Sequence, residues 1–155
     1  MKNNTKKTVL NSISFLSALL VATIAVSVMI VWQLKNPDLV ARYDWIFYMQ
    51  YTTAMLFLAS SAGLCLSLLQ YRKTAAALGV LVAGFAALIL FEYVAGISLG
   101  IDQIFLKDYV HENIAYPGRP APNTATAFLF FGAALVFTVN HTRPAFRNAF
   151  IDFTG

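Results

Sequence analysis

The sequence is poor in charged residues. Only 12% of its residues are Asp, Glu, Lys or Arg, whereas a soluble domain has about 25%. Hydrophobic residues make up 59% of the chain, so too little polar surface exists to cover a water-soluble globule. A soluble enzyme and a disordered tail are therefore excluded. The single cysteine, Cys65, also excludes an internal disulfide and with it a secreted disulfide scaffold. We expect one membrane domain over residues 1–155.

The familiar catalytic and cofactor motifs are also absent. The sequence has no phosphate-binding glycine loop, no CxxC and no HExxH. Its two histidines, His111 and His141, fall on opposite sides of the membrane in the topology derived below, so one chain cannot use both for a haem or metal. The sequence therefore predicts neither an enzyme nor a resident cofactor or metal.

Long apolar runs dominate what is present. Four of them are nearly free of charge, and they cover residues 9–34, 45–71, 74–100 and 123–140. Because about 20 apolar residues cross the hydrocarbon as a helix, these runs predict an all-α membrane protein with four antiparallel transmembrane helices. The basic start of the chain also fits a signal peptide, with a cleavage site near residues 25–27. Apolar residues continue to Trp32, however, and this length favours a retained anchor helix.

The Lys and Arg residues indicate the orientation of these helices. One side of the predicted topology carries Lys2, Lys6, Lys7, Arg72, Lys73, Arg143 and Arg147, and the other side carries Lys35, Arg42, Lys107 and Arg119. The positive-inside rule places the more basic side, with both termini, in the cytoplasm. The formal charge of +4 is therefore interpreted as a topology signal. The expected partner is the lipid bilayer, with no nucleic acid.

Small residues spaced by four suggest where helices pack. The second helix contains Ala59 and Gly63, and the third run contains Gly96 and Gly100. Such pairs let helix backbones approach closely, although the motif also arises by chance in glycine-rich helices. Because Glu92 lies four residues before Gly96, we expect one stripe that turns Glu92 toward a neighbouring helix.

Five polar residues are candidates for binding a ligand or carrying a signal. Within the spans, Glu92 is the only formally charged residue, and an intramembrane acid requires a partner, water or a function. It lies close to the outer edge of its span, where it can instead reach the headgroups or pair with Arg119 or Lys107. The others surround the outer connection: Asp102, Gln103, Arg119 and Asn123.

The outer connection, residues 101–122, has a local pattern of its own. Its apolar residues Ile101, Ile104, Phe105 and Tyr109 recur at helical spacing, which predicts a short amphipathic helix on the membrane surface. Pro117 and Gly118 then indicate a turn, and Asn123 or Thr124 is expected to cap the fourth helix. Arg119 is placed to fold back over the helix ends, where it can hold Glu92, Asp102 or an anionic ligand.

Two sequence segments in this region resemble segments of a known group of proteins. FEYVAGISLGIDQIF (residues 91–105) followed by YPGRPAPNTATAFLFFGAAL (residues 116–135) resembles the N-terminal multi-helix membrane sensor region of bacterial signalling proteins. These are PAS-containing histidine kinases and GGDEF-type diguanylate cyclases. The residues that match the group's two motifs are Glu92, Tyr93, Gly96, Leu99, Gly100, Ile101, Asp102, Gln103, Pro117, Gly118, Arg119, Pro122, Asn123, Thr124 and Ala125. Pro120 departs from the pattern, because the group usually has Met there.

The resemblance implies a sensory input module in the bacterial inner membrane. Such a module passes a periplasmic or membrane signal to a cytoplasmic output domain or partner. The group usually continues into further helices and a kinase or cyclase domain, which do not fit into the residues after 140. Either the chain is part of a longer sensor, or a sensor-type module has become a stand-alone membrane protein. The alternative function is a small accessory or scaffold subunit of a larger redox or photosynthetic membrane complex. A minimal transporter would require oligomerisation, since Glu92 and a few hydroxyls provide the only polar path. A homo-oligomer or a larger complex is expected.

Overall fold

The described part of the chain is all-helical. The computed structural model describes residues 2–42, 49–110 and 116–141, and it contains no strand within them. Its elements are α1 (Lys2–Leu34), α2 (Pro37–Arg42), α3 (Tyr51–Leu68), α4 (Arg72–Ala95), a 3-10 turn (Ile101–Gln103) and α5 (Pro122–His141). Three helices are long and apolar enough to cross a membrane, namely Val9–Leu34 within α1, α3 and α4. The apolar part of α5, Pro122–Thr138, is shorter.

The helices pack in sequence order. α1 packs on α3, α3 packs on α4, and α4 makes its most extensive contact with α5, while α3 also contacts α5. Successive long helices run in opposite directions. Tyr93, late in α4, donates a hydrogen bond to the carbonyl of Pro120 just before α5, whereas Gly79, early in α4, faces Gly132 in the middle of α5. We call the end of the bundle near Leu34, Tyr51, Ala95 and Pro122 the loop end.

The predicted bounds of the second and third helices differ from the structure by up to several residues. The second helix was expected over residues 45–71, but α3 runs from Tyr51 to Leu68, and residues 43–48 lie outside the described part. A turn follows in which Gln70 takes a left-handed φ of 67°. The third helix was expected to reach residue 100, yet α4 ends at Ala95 because Gly96 adopts a left-handed φ of 65°. Glycine reaches this conformation without steric strain, and it commonly terminates helices.

This early end of α4 removes the predicted glycine stripe. Gly96 terminates the helix and Gly100 lies beyond it; both are exposed, and a side chain added at either would meet nothing within 4 Å. Their spacing therefore creates no helix contact. The other small-residue pair lies differently, because Gly63 is buried at the contact of α3 with α4 and α5, where Leu135 is its closest neighbour. Ala59 is half-buried against the core.

The closest backbone approach joins α4 to α5. A Cβ atom added at Gly132 would lie 2.6 Å from the carbonyl oxygen of Gly79 and 2.7 Å from the backbone nitrogen of Ala83. Buried residues continue along α4 at intervals of three and four, and they are Ala75, Gly79, Val82, Ala86, Ile89 and Glu92. This spacing defines one face of a helix. Glu92 is thus the last member of the face that packs against the rest of the bundle.

We predict opposite effects on stability when one methyl group is added at the contact of Gly132 with Gly79 and at an exposed glycine of α4. We expect Gly132→Ala to destabilise the bundle, because the new Cβ meets backbone atoms that cannot move aside, and such overpacking typically costs about 1–3 kcal/mol. Gly84→Ala is the matched control, since Gly84 is exposed in α4 with nothing within 4 Å. Replacing a mid-helix glycine there should stabilise by up to about 1 kcal/mol. Detergent-denaturation curves followed by circular dichroism measure both, and equal midpoints would contradict the contact.

Candidate functional site

Three charged side chains meet at the loop end and are buried together. Glu92 comes from the last turn of α4, Asp102 from the 3-10 turn, and Arg119 from the segment before α5. Their exposed fractions are 0%, 5% and 2%. The Nε of Arg119 donates to the Oδ2 of Asp102 at 2.7 Å, and its Nη2 lies 3.3 Å from the Oε2 of Glu92. We call Glu92, Asp102 and Arg119 the buried ionic cluster.

The guanidinium of Arg119 has further partners. Its Nη2 also donates to the carbonyl of Ile97 at 3.3 Å, in the stretch that follows α4. The Arg119 Cζ lies 4.3 Å from the ring centroid of Tyr116 and 5.1 Å from that of Tyr93. These distances permit cation–π attraction, which gains strength where water is excluded. Arg119 therefore binds backbone, carboxylates and aromatic rings at once.

Part of the polar capacity of the cluster is unused. Within the residues that the structure describes, Arg119 Nη1, Asp102 Oδ1 and Glu92 Oε2 are buried without a hydrogen-bond partner. Glu92 Oε2 is at ion-pair distance from Arg119 but is not aligned for a hydrogen bond. Two carboxylates also share a single guanidinium, so the charges do not balance if both acids are ionised. The cluster can consequently accept another partner or rearrange.

Arg119 is held in its charged form. Burial by itself would lower the pKa of Arg119, but the hydrogen bond and charge of Asp102, followed by the charge of Glu92, outweigh burial, and the pKa is raised above its usual range. The positive charge is thus permanent at any physiological pH. Any change in the charge of the cluster must come from its two acids.

Backbone contacts fix the loop around the cluster. Glu92 Oε1 accepts the backbone N–H of Leu99, and the hydroxyl of Thr52 in α3 donates to the carbonyl of Asp102 at 2.7 Å. The Gln103 amide donates to the carbonyl of Pro117 at 3.1 Å. The amphipathic helix predicted over residues 101–109 does not form: within residues 101–110 the helical part is the 3-10 turn, and residues 104–110 are not helical. Polar contacts therefore replace helical hydrogen bonds as the source of order.

A second acid orders the turn that carries Arg119. Asp108 is buried, and its carboxylate accepts the backbone N–H groups of Val110 at 2.9 Å and Gly118 at 3.1 Å. Gly118 has a left-handed φ of 75°, and a Cβ there would lie 3.1 Å from the carbonyl oxygen of Asp102. Glycine is required at this position by both conformation and space. The turn thereby delivers Arg119 to Asp102.

The same loop is attached to α1. The indole N–H of Trp32 donates to the carbonyl of Met49 at 3.0 Å, and the Tyr109 hydroxyl donates to the carbonyl of Trp32 at 3.1 Å. The two rings meet edge to face with centroids 5.3 Å apart. Burial, with a smaller effect of the Asp108 charge, raises the pKa of Tyr109. The loop thus links the end of α1 to the region of the cluster.

The predicted site residues divide into two groups. Glu92, Asp102 and Arg119 lie together in the buried ionic cluster, and Gln103 lies beside it through its bond to Pro117. Asn123 does not belong to the site, because it is exposed in the first turn of α5 and its side chain accepts the N–H of the adjacent Thr124. The helix starts at Pro122, one residue before the expected cap.

Four residues that support the cluster were not predicted from the sequence. Thr52, Tyr93 and Tyr116 contact members of the cluster, and Asp108 orders the turn that carries Arg119. Thr52 carried no usable signal, because its contact with Asp102 spans 50 residues. Glu92 had a signal that the prediction did not use. It continues the buried face of α4 three residues after Ile89.

Neither metal ligands nor relatives identify the site further. No group of three His, Cys, Asp or Glu side chains suited to a metal occurs among residues 2–42, 49–110 and 116–141. No family model matches the chain, and neither the curated proteins nor the solved structures include a match. The function must therefore be argued from the site itself.

The shared guanidinium predicts a characteristic pattern of stability changes. Arg119→Gln should destabilise by about 3–5 kcal/mol, because it leaves two buried carboxylates facing each other without compensation. Adding Glu92→Gln to this variant should recover part of the loss, since one of the uncompensated charges is then removed. Lys107→Gln is the control, because Lys107 is exposed in the same loop.

Unfolding in detergent with increasing denaturant measures five proteins in parallel: the parent, Arg119→Gln, Glu92→Gln, the double variant and Lys107→Gln. Additive effects of the Arg119 and Glu92 substitutions would contradict direct coupling between the two charges.

Proposed function

We propose that this chain is a membrane sensory input module in which the buried ionic cluster changes state. The module lies in the bacterial inner membrane with four spans and both termini in the cytoplasm. It passes a periplasmic or membrane signal to a cytoplasmic output domain or partner. The distribution of Lys and Arg supports the orientation, and the resemblance of residues 91–105 and 116–135 to sensor regions supports the class.

One observation carries the proposal: a single buried guanidinium joins the ends of two helices and the loop between them. Arg119 precedes α5, contacts Glu92 on α4, and holds Asp102, whose carbonyl accepts Thr52 of α3. A change at this point acts on three helices at once. Packed helices respond to such changes by discrete shifts of about 1–2 Å, and these shifts are the means by which a signal crosses a bundle.

The cluster also has the chemistry of a switch. Three of its buried polar atoms lack partners in the described structure, and its two acids exceed its single cation. Protonation of one acid or entry of a polar ligand would alter which carboxylate Arg119 holds. A sensor requires a ligand that binds its two states with different affinities, and a cluster with unused polar groups can provide that difference.

The accessory-subunit alternative has an observation of its own. The lipid-facing side of α1 exposes many large apolar residues: Val9, Leu10, Ile13, Leu16, Leu20, Ile24, Ile30 and Leu34. This surface is suited to lipid and equally to a neighbouring transmembrane helix. Purification from native membranes separates the two functions. An output protein or output domain attached to the chain supports the sensor, whereas stable association with a redox or photosynthetic complex supports the accessory subunit.

Replacing Arg119, whose guanidinium pairs with two carboxylates, tests signal transmission across the bundle. Arg119→Lys keeps the positive charge but loses the geometry that joins two carboxylates. We expect it to shift the distance between spin labels placed at Val9 in α1 and Lys73 in α4, at the end opposite the cluster, by about 1–2 Å. The labels are introduced as cysteines after Cys65→Ser, and pulsed electron resonance measures the distance.

Lys107→Arg is the control for this experiment, because it changes an exposed cation in the loop. Its distance distribution should match that of the parent protein. Identical distributions for the parent and the Arg119→Lys variant, with both inserted and folded, would contradict a signalling role for the cluster.

A further inference from the structure

Two carboxyl oxygens of the buried ionic cluster accept no hydrogen bond within the described residues. They are Oε2 of Glu92 and Oδ1 of Asp102. The other oxygen of each group has a donor, since Glu92 Oε1 accepts the backbone N–H of Leu99 and Asp102 Oδ2 accepts the Nε of Arg119. Each acid is therefore satisfied at one oxygen and unsatisfied at the other. An acceptor without a donor is unfavourable where water is excluded.

A third buried acid in the same region has the opposite arrangement. Both oxygens of Asp108 accept backbone N–H groups, from Val110 and from Gly118. Asp108 is buried as deeply as Asp102, with 6% of its surface exposed against 5%. Burial alone therefore does not leave an acid of this loop without donors. The deficit is specific to the pair formed by Glu92 and Asp102.

The two incompletely satisfied acids lie against each other. The carboxyl groups of Glu92 and Asp102 are close enough to form a hydrogen bond, and the oxygens free for it are the two that lack a donor. Two ionised carboxylates cannot form this bond because both only accept, whereas a protonated carboxyl group has an O–H that donates. One proton between Glu92 Oε2 and Asp102 Oδ1 therefore satisfies both atoms.

The same proton balances the charge of the cluster. The charged and titratable side chains around the two acids come from α4, the 3-10 turn and the segment before α5, and within the described residues they are Tyr93, Asp102, Arg119 and Tyr116. α3 contributes the neutral hydroxyl of Thr52. Arg119 is the one cation among these groups, so two ionised acids leave one negative charge in excess. Burial and mutual repulsion favour protonation of one acid where two share a site.

We propose that Glu92 and Asp102 form a proton-binding site, in which a proton on Glu92 Oε2 is donated in a hydrogen bond to Asp102 Oδ1. Glu92 carries the O–H because Asp102 makes the shorter contact with Arg119, at 2.7 Å against 3.3 Å. The proton binds as the pH falls, and its release leaves two carboxylates competing for one guanidinium. The role of this proton as the stimulus rests on the sensory function proposed above, and it names the species to which the cluster responds.

Infrared spectroscopy of the chain in lipid nanodiscs detects this proton directly. The sequence contains two glutamates, Glu92 and Glu112, so Glu112→Gln leaves Glu92 as the one glutamate. At about pH 5.5, where exposed acids are ionised, we expect the C=O stretch of a protonated carboxyl group, which disappears as the pH rises. Glutamate with 13C in its side-chain carboxyl should shift this band, and Glu92→Gln should abolish it. Asp38→Asn is the control that retains the band, because Asp38 is exposed.

The absence of a carboxylic acid band at about pH 5.5 would overturn the proposal. A band that 13C-glutamate does not shift would place the proton on Asp102 and overturn its assignment to Glu92. Both results come from the protein that retains Glu92, so they hold even where Glu92→Gln fails to fold.

The pH dependence of unfolding provides a second measurement of the proton. A proton held by the folded state and absent from the unfolded chain makes the unfolding equilibrium constant rise about tenfold per pH unit, until the folded site releases it. Stability is thus lost as the pH rises. Glu92→Gln should remove this dependence, because its amide donates to Asp102 in place of the O–H. Asp38→Asn should keep the slope of the parent, and equal slopes for the parent and Glu92→Gln would contradict the site.

The spin labels at Val9 and Lys73 separate the proton site from the signalling role. If the proton is the stimulus, the distance between the labels changes with pH in the parent and stays constant in Glu92→Gln. A labelled infrared band without a change in distance would support the proton site and overturn the sensory function. A missing band would overturn the proton site whatever the distance does.

Discussion

The pairing of two buried acidic side chains with one guanidinium is the constraint on which the loop end depends. Taking three charged groups out of water is unfavourable, and only close pairing with good geometry offsets the loss of hydration. Arg119 must therefore reach both Glu92 and Asp102, which fixes the end of α4 relative to the start of α5. The loop has to close around this contact, and Asp108 and Gly118 supply the turn that allows it. Residues 104–110 and 116–121 form neither helix nor strand, so these charged contacts determine the loop conformation there.

Packing divides the bundle into a close part and a loose part. α4 and α5 approach until Gly79 meets Gly132, so their relative position is set by backbone contact. Lipid supplies no hydrophobic force between helices, and such small-residue contacts are what bind them together. α1 contacts only α3 extensively, and its distance from α5 leaves an apolar cleft open between α1, α3 and α5, where Ala18, Phe57 and Phe128 are among the lining residues. The closely packed part thus carries the ionic cluster, and the loosely packed part forms the boundary of the cleft.

The sequence predicted the long helices, which depend on composition. It missed the end of α4 and the contacts that depend on how the loop folds back. Hydropathy alone located the long helices, because burial in lipid leaves few alternatives for an apolar run. Gly96 was misassigned because a glycine ends a helix as readily as it packs one, and spacing cannot distinguish these uses. Arg119 was expected to hold Glu92, Asp102 or an anionic ligand, and it pairs with both acids. The hydroxyl that Thr52 of α3 donates to the Asp102 carbonyl was not expected, because that contact depends on how the loop folds back. No local pattern contains that information, although the burial of Glu92 follows from the face on which it lies.

The ionic cluster and the apolar cleft are connected through the helices that they share. α3 carries both Thr52, which holds the Asp102 carbonyl, and Ser60, which lines the cleft, while α5 follows Arg119 and carries Phe128. A displacement of either helix therefore changes the geometry of the cluster and the width of the cleft together. Such coupling acts in both directions, because both regions are built on the same two helices.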